Sequence, residues 1–307
     1  MARTELFSRK QAGGVFTIAG VDKHPGSIFF VHSGTGTDAA GKGRNPDAPV
    51  ATIDYGVGLC TAGKGDVVYV MPGHNEGLGN AQITVDIEGV SIIGLGRGSI
   101  RPRIDFDHAN SSIDIAAHGV TIKNLGLLPS VTDVLVAIDV NANKTDTLIE
   151  DVEALPGEDG GGVDDFAVVI DIKAGCSRTV VRRPRIRQHA SGAGYIAGIK
   201  LTGASDDVVI EDPDIVTLGA AAVAPINGDT TLSTNVRVKR ATLVSDAEPG
   251  IELLTGTTGI LEDVRVFSNL GTIAAAIVAD GCARFNCLYV EVAPEREVAI
   301  GTASADD

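Results

Sequence analysis

The sequence is short of aromatic side chains and of positive charge. It has no tryptophan, four tyrosines and two methionines among 307 residues, and aromatic residues make up 4%. Carbohydrate sites usually place a sugar ring against an aromatic side chain, so this shortage weighs against a sugar-processing groove. The formal net charge of −15 argues against nucleic-acid binding, because phosphate neutralisation requires clustered Lys and Arg.

Several other motifs are missing from the sequence. It has neither a run of about 18 apolar residues nor an apolar signal-peptide core, so we expect neither a membrane span nor export. The cysteines Cys60, Cys176, Cys282 and Cys287 show no CxxC or Cys/His spacing, and we expect no metal and no cofactor. We interpret them as small buried side chains in a reducing compartment, with a Cys282–Cys287 disulfide as the alternative.

Glycine and small aliphatic residues are abundant. The chain has 38 glycines and is 44% hydrophobic, and Val, Ile, Leu and Ala supply most of that content. β-branched side chains suit strands that stack one above another, whereas a helical bundle would use more Leu, Met and Lys. The composition therefore favours an all-β protein.

Two short alternating segments recur along the chain from residue 83. The first occurs at 112–117, 137–142, 169–175, 198–203, 250–256 and 276–281. The second occurs at 89–94, 119–124, 147–151, 179–183, 207–212, 235–240 and 259–263, with anchors 24 to 32 residues apart. A period of this size predicts a solenoid. Alternation predicts that Ile113 and Ile115 point inward while Asp114 points outward, and likewise for Ile138 and Val140 around Asp139. The last predicted strand spans residues 285–292.

The stretch between Val31 and Gly73 indicates which solenoid this is. It reads VHSGTGTD at 31–38, NPDAPVATID at 45–54 and GDVVYVMPG at 65–73. This order resembles the opening segment of right-handed parallel β-helix proteins of the pectin-lyase-like class. The resemblance implies a short capping helix near 52–62 that covers the N-terminal end of the solenoid. We therefore predict an arm at 1–30, an opening loop with the capping helix at 31–63, a parallel β-helix at 64–292 and a tail at 293–307.

The same stretch, continued through YVMPGH at 69–74, resembles β-helix structural proteins of tailed bacteriophages that decorate or cement the capsid. The resemblance implies a non-enzymatic virion protein on the capsid surface, made in the host cytoplasm. Its expected partner is the major capsid protein of the same phage, and the expected assembly is a homotrimer, without nucleic acid or membrane. The alternatives are a phage tailspike or other polysaccharide-degrading β-helix enzyme, and a cellular surface adhesin.

The N-terminal arm differs from the rest of the chain. Residues 1–30 carry a net charge of +2 and four of the eight phenylalanines. One hypothesis is that the arm packs along its own solenoid, and the other is that it buries its apolar residues on a partner. For the second hypothesis the expected contact residues are Arg3, Phe7, Arg9, Lys10 and Phe16.

Two charged groups are candidates for chemistry in the solenoid. Alternation stacks Asp114, Asp139 and Asp171 on the outer face, with Lys200 and Glu252 at equivalent positions. We expect a solvated or subunit-facing surface there, with a calcium or catalytic site as the alternative. A basic stretch comprises Arg178, Arg182, Arg183, Arg185, Arg187 and His189. We expect it to pair with acids of a neighbouring turn or subunit, with an anion or partner patch as the alternative, and we predict no catalytic residue.

Overall fold

The computed structural model describes residues 26–155, 164–187, 197–217, 223–228, 230–246, 248–270 and 272–291, together with the backbone of two short strands at 7–9 and 16–18. Over these residues the chain winds into a right-handed parallel β-helix, as the sequence predicts. Three parallel sheets of ten, nine and eight strands form its sides. Each turn of the chain adds one strand to each sheet in succession.

Strands are numbered in chain order. The first sheet contains β3 Ile28–Val31, β4 Val67–Val70, β7 Ser91–Gly94, β10 Thr121–Lys123, β13 Leu148–Glu150, β16 Ser177–Arg182, β19 Asp206–Glu211, β22 Val236–Lys239, β25 Gly259–Glu262 and β28 Cys282–Phe285. The second contains β5 Asn75–Gly77, β8 Arg103–Phe106, β11 Gly126–Pro129, β14 Glu153–Ala154, β17 Arg185–Arg187, β20 Asp214–Thr217, β23 Thr242–Ser245, β26 Arg265–Ser268 and β29 Leu288–Glu291. The third contains β6 Gln82–Val85, β9 Ser112–Ile115, β12 Val134–Val140, β15 Phe166–Ile172, β18 Ala197–Leu201, β21 Ala224–Gly228, β24 Ile251–Leu253 and β27 Ile277–Val278.

The remaining elements are short. β1 Phe7–Arg9 and β2 Phe16–Ile18 form an antiparallel pair that is a sheet of its own. Two helices, α1 Ile53–Gly58 and α2 Ile273–Ala276, and a 3₁₀ turn at Gly98–Ile100 complete the described residues. α1 lies within the predicted helix near 52–62.

Alternation within each strand builds the core. Inward positions of successive strands stack at about 4.8 Å, so like side chains lie above one another. In the first sheet one such column reads Phe29, Val68, Ile92, Ile122, Ile149, Val181, Ile210, Val238 and Leu261, each at most 1% exposed. Ile113 and Ile115 are buried as predicted, on either side of the outward Asp114.

One aliphatic column ends on a polar residue at the N-terminal end of the solenoid, and two columns do so at the C-terminal end. At the N-terminal end, Glu76 occupies the inward position next to Ile104, and its carboxylate accepts the N–H of Ile53 at 3.0 Å. α1 lies over this end and buries Ile53. At the C-terminal end, Arg284 follows Leu261 in the first sheet and Tyr289 follows Val266 in the second.

The structure differs from the predicted organisation in three places. The second sheet supplies a third strand per turn that the two-segment repeat did not include. β3 pairs with β4, so the parallel sheet begins at Ile28 rather than near residue 64. The predicted last strand at 285–292 is instead two strands, β28 and β29, which belong to different sheets. Short strands interrupted by tight turns leave only a weak sequence pattern, which explains these differences.

Candidate functional site

The predicted aspartate column is present on the outer face of the third sheet. Asp139 lies beside Asp114 on one side and Asp171 on the other. Lys200 follows Asp171, and Asn227 then separates Lys200 from Glu252. The register is therefore as predicted, with an amide between the last two charges. We refer to Asp114, Asp139 and Asp171 as the aspartate column.

Donors from the same chain hold the column. Lys173 donates to the Asp139 carboxylate, and its ammonium lies 3.5 Å from Oδ1 of Asn141. The Thr202 hydroxyl donates to Asp171, and the Ser112 hydroxyl donates to Asp114 at 2.7 Å. Asp171 is buried and Asp139 is largely covered.

Burial changes the protonation behaviour of two of these acids. It raises the pKa of Asp139, although the hydrogen bond and charge of Lys173 oppose the rise. It also raises the pKa of Asp171, against the hydrogen bond from Thr202. Neighbouring aspartates add to the effect at Asp139, because like charges disfavour ionisation. The aspartate column therefore places carboxylates where burial and neighbouring aspartates disfavour the ionised form.

The basic stretch makes ion pairs with acids of adjacent turns. Arg178 binds Asp146 at 2.6 Å, Arg182 binds Glu211 at 2.9 Å, and Arg183 binds both Glu150 and Asp151 at 2.5 and 2.7 Å. On the second sheet, Arg185 binds Glu153 at 2.5 Å and Arg187 binds Asp214. The prediction that this stretch pairs with a neighbouring turn is confirmed for its arginines. His189 lies outside the described residues.

These pairs belong to a longer pattern in which the sign of charge alternates from turn to turn. In five consecutive strands of the first sheet, β13 to β25, the last outer residue and the turn residue after it share one sign, and the next turn has the opposite sign. We call this set the charge ladder; it comprises Glu150 and Asp151, Arg182 and Arg183, Glu211 and Asp212, Lys239 and Arg240, and Glu262 and Asp263.

Left-handed turn residues fix the geometry of the ladder. Asp151, Arg183, Asp212, Arg240 and Asp263 all have φ between 50° and 55°. A second set of such residues lies five positions earlier, before or at the start of these strands: Asp146, Arg178, Asp207 and Asn235. For a residue other than glycine, adopting this backbone conformation costs roughly 1–2 kcal/mol. Each arginine in the ladder turns offsets that penalty with a bidentate bond to the acid one turn away, as Arg240 does with Asp212.

Hydrogen bonds from basic side chains lower the pKa of three acids of the ladder. The hydrogen bond from Arg183 lowers the pKa of Asp151, and that from Arg240 lowers the pKa of Asp212. At Glu150 burial acts upward, but hydrogen bonds from Lys123 and Arg183 leave the pKa lowered. Arg178 lowers the pKa of Asp146 to about 2. The ladder and the aspartate column thus have opposite electrostatic character.

Over the ranges that the structure describes, His74 and the cysteines are parts of the fold rather than of a metal site. His74 is buried between the Ser33 N–H, which its Nδ1 accepts at 3.0 Å, and the Glu76 carboxylate, to which its Nε2 donates at 3.0 Å. All four cysteines are free, with Cys176 and Cys282 buried. Within the described residues, no three His, Cys, Asp or Glu side chains are grouped so that they could hold a metal ion. No helix among these residues is long and apolar enough to cross a membrane.

The predicted partner-contact residues lie in the arm, where the structure describes only two strands. Arg3 and Lys10 lie outside the described residues. Phe7 pairs with Ile18, and Arg9 pairs with Phe16, across the β1–β2 hairpin. The structure therefore brings three of the five residues into one element. It does not test their contact with a partner.

Comparisons with known proteins identify structural neighbours only. No protein-family model matches the sequence, and no curated protein matches it. The chain is similar in structure to a rhamnogalacturonan lyase, with 12% identity over 79% of this chain and 74% of the lyase and a TM-score of 0.44. It is also similar to the GH136 lacto-N-biosidase from Eubacterium ramulus, with 11% identity over 86% of this chain and 67% of that chain and a TM-score of 0.32. These similarities carry no statement about activity.

Proposed function

We propose that this chain is a non-enzymatic structural protein of a bacteriophage virion, which decorates the capsid and stabilises contacts between capsid subunits. In this proposal the β-helix is the rigid body and the N-terminal arm is the attachment element. The observation that carries the proposal is the separate β1–β2 sheet, which joins none of the three parallel sheets. An isolated two-stranded hairpin is marginally stable in water and needs a surface to pack against.

The charged surface of the body supports a structural role. The ladder arginines are engaged by acids of adjacent turns, and hydroxyl and ammonium groups of the same chain bind the aspartate column. The ladder arginines are thus used within the solenoid, and the aspartates are bonded by side chains of their own chain. The proposed partner is the major capsid protein, contacted through Arg3, Phe7, Arg9, Lys10 and Phe16, and the proposed assembly is a homotrimer.

The test is attachment to phage particles that lack this protein. A Phe7→Ala/Phe16→Ala variant should lose most of its occupancy, because each buried phenylalanine contributes about 1.5–3 kcal/mol. Removing the charges of Arg3, Arg9 and Lys10 should have a smaller effect, since exposed pairs contribute roughly 0–1 kcal/mol each. The matched control is Phe285→Ala, a 57% exposed residue in the last turn. Undiminished occupancy of the double variant would refute an arm-based attachment.

A second function, polysaccharide cleavage, is favoured by one observation. Asp139 and Asp171 have raised pKa values beside a third carboxylate, and glycosidases pair a protonated acid with an ionised one. Purified protein releasing oligosaccharides from a host capsule, with the activity lost in Asp114→Asn/Asp139→Asn/Asp171→Asn, would establish this function in place of decoration.

A further inference from the structure

A second apolar cluster lies outside the core, on the outer face of the first sheet near the N-terminal end. It comprises Phe30, Val67, Tyr69 and Leu95, and the main core does not include it. Phe29 and Val68 point into the core, so their strand neighbours Phe30, Val67 and Tyr69 point outward. These three outward side chains are nevertheless only 1%, 3% and 0% exposed. An outward residue in the middle of a sheet face is buried only when another segment lies over it.

Neighbours on the same face do not provide that cover. The rings of Phe30 and Tyr69 lie side by side with centroids 6.1 Å apart and belong to one layer. Burial raises the pKa of Tyr69, and its hydroxyl is buried without a hydrogen-bond partner among the described residues. One strand further along, Ser91 and Ile93 are partly exposed, and the charge ladder occupies the same face after them. The segment that buries Phe30, Val67 and Tyr69 therefore lies over β3 and β4 and does not extend along the whole face.

Topology limits which segment can supply it. Segments 156–163, 188–196 and 218–222 each connect a strand of the second sheet to a strand of the third, and they do so at later turns. Residues 292–307 follow β29 at the opposite end, where the first sheet has its last strand eight strand steps from β4, or about 38 Å at 4.8 Å per step. An extended chain advances about 3.4 Å per residue, so most of these residues would be needed to reach the patch and few would remain to cover it. Residues 1–25 are joined directly to Gly26, two residues before β3.

We propose that the N-terminal arm, residues 1–25 with the β1–β2 hairpin, binds this patch on its own chain. We call the patch the arm seat: Phe30, Val67 and Tyr69, bordered by Ile28, Ile93 and Leu95. The seat supplies the apolar surface that a two-stranded hairpin needs. The inference concerns the free chain and does not rest on the proposed function. If the arm also attaches the protein to a capsid, the seat competes with the capsid for the arm.

The first test measures the accessibility of Tyr69 in the full-length chain. Tetranitromethane nitration, followed by peptide mass spectrometry, should modify Tyr69 at least about tenfold more slowly than Tyr55, which is only partly buried in α1. In Phe7→Ala/Phe16→Ala the Tyr69 rate should rise about tenfold while the Tyr55 rate stays constant. Phe285→Ala, at the far end of the solenoid, should leave both rates unchanged.

The second test changes the seat and observes the arm. Val67→Ser places a polar residue where the adjacent strand already carries Ser91, so the solenoid should stay folded. Trypsin cleavage after Arg9 and Lys10 should then become about tenfold faster. Fast nitration of Tyr69 in the unchanged chain, or protection that persists in both variants, would overturn the proposal. Protection lost on dilution, with crosslinked dimers at high concentration, would assign the cover to the arm of a second copy and also overturn it.

Discussion

The charge ladder and the aspartate column stack charged side chains at the same strand spacing, with opposite consequences. In the ladder the sign alternates, and Glu150 receives bonds from Lys123 and Arg183. In the column three acids of one sign follow one another, and Lys173 bonds to the middle one, Asp139. Three acids of the ladder have lowered pKa values, whereas Asp139 and Asp171 of the column have raised ones. In a parallel solenoid, the order of residues across turns therefore decides whether a stack of charges stabilises the fold.

Reversing one charge in the ladder should give the largest effect. Arg183→Glu places a third acid between Asp151 and Asp212 and deprives Glu150 of a donor. Glutamate has the same difficulty as arginine with a positive φ, so the change isolates the charge. We expect the free energy of unfolding to fall by about 2–3 kcal/mol, because Glu150 is nearly buried but Arg183 is half exposed.

Chemical denaturation at pH 7 measures that loss. The control is Arg97→Glu, at an exposed arginine for which no ion pair is found in the described part of the chain. It should change stability by less than about 0.5 kcal/mol. Equal losses in the two variants would mean that the sign order of the ladder contributes nothing.

Neutralising one acid in each region should give effects of opposite sign. At pH 7 Asp151→Asn should lower the free energy of unfolding by about 1 kcal/mol, because it removes a charge that Arg183 stabilises. Asp171→Asn should raise it by up to about 1 kcal/mol, because the buried charge is removed while Thr202 keeps an acceptor.

Both effects should disappear in acid, and the sign follows from the pKa directions. The folded pKa of Asp151 is lowered, so its stabilisation is complete above the ordinary value of 3.8 and is lost as pH falls through the folded pKa. The folded pKa of Asp171 is raised, so its destabilisation is complete above that pKa and is relieved as pH falls to 3.8. Denaturation curves between pH 7 and pH 3 check this. The same sign for both variants at pH 7 would contradict the contrast between the regions.

Salt should give the smallest effect. At 1 M NaCl the Debye length is about 3 Å, so both the attraction in the ladder and the repulsion in the column weaken. The difference in stability between Asp151→Asn and Asp171→Asn should shrink by a few tenths of a kcal/mol, roughly the scale of exposed pairs. Phe285→Ala provides the uncharged control. A difference that grows with salt would show that hydration, rather than Coulomb interaction, separates the two regions.

The sequence predicted the parts of the fold that depend on alternation. Ile138 and Val140 point inward around Asp139, and the order Asp114, Asp139, Asp171, Lys200 is confirmed. Strands such as Glu153–Ala154 were missed because two residues cannot show a period. The sequence predicts that the arginines pair with acids of a neighbouring turn. It does not identify which acids, because that depends on the register between adjacent turns.

Left-handed residues occur five positions apart, one near the start and one just after the end of a first-sheet strand, as at Asp146 and Asp151 or Arg178 and Arg183. Arginine rarely occupies this backbone region, so propensity gives no reason to expect it there. The burial of Tyr69 could not be predicted from the sequence either, because alternation indicates only that its side chain points away from the core.

The polar residues at the ends of the aliphatic columns affect whether strands of another chain can stack on the solenoid. Stacked parallel strands are also the building principle of fibres, in which each new chain extends the sheets by one step. At the C-terminal end a further layer would enclose the Arg284 guanidinium, whose bond to Asp280 leaves it partly hydrated. At the other end the edge of β3 is already occupied, because Phe30 exchanges backbone hydrogen bonds with Gly43 and Val50. Both features disfavour the stacking of a further layer of strands at the ends of the solenoid.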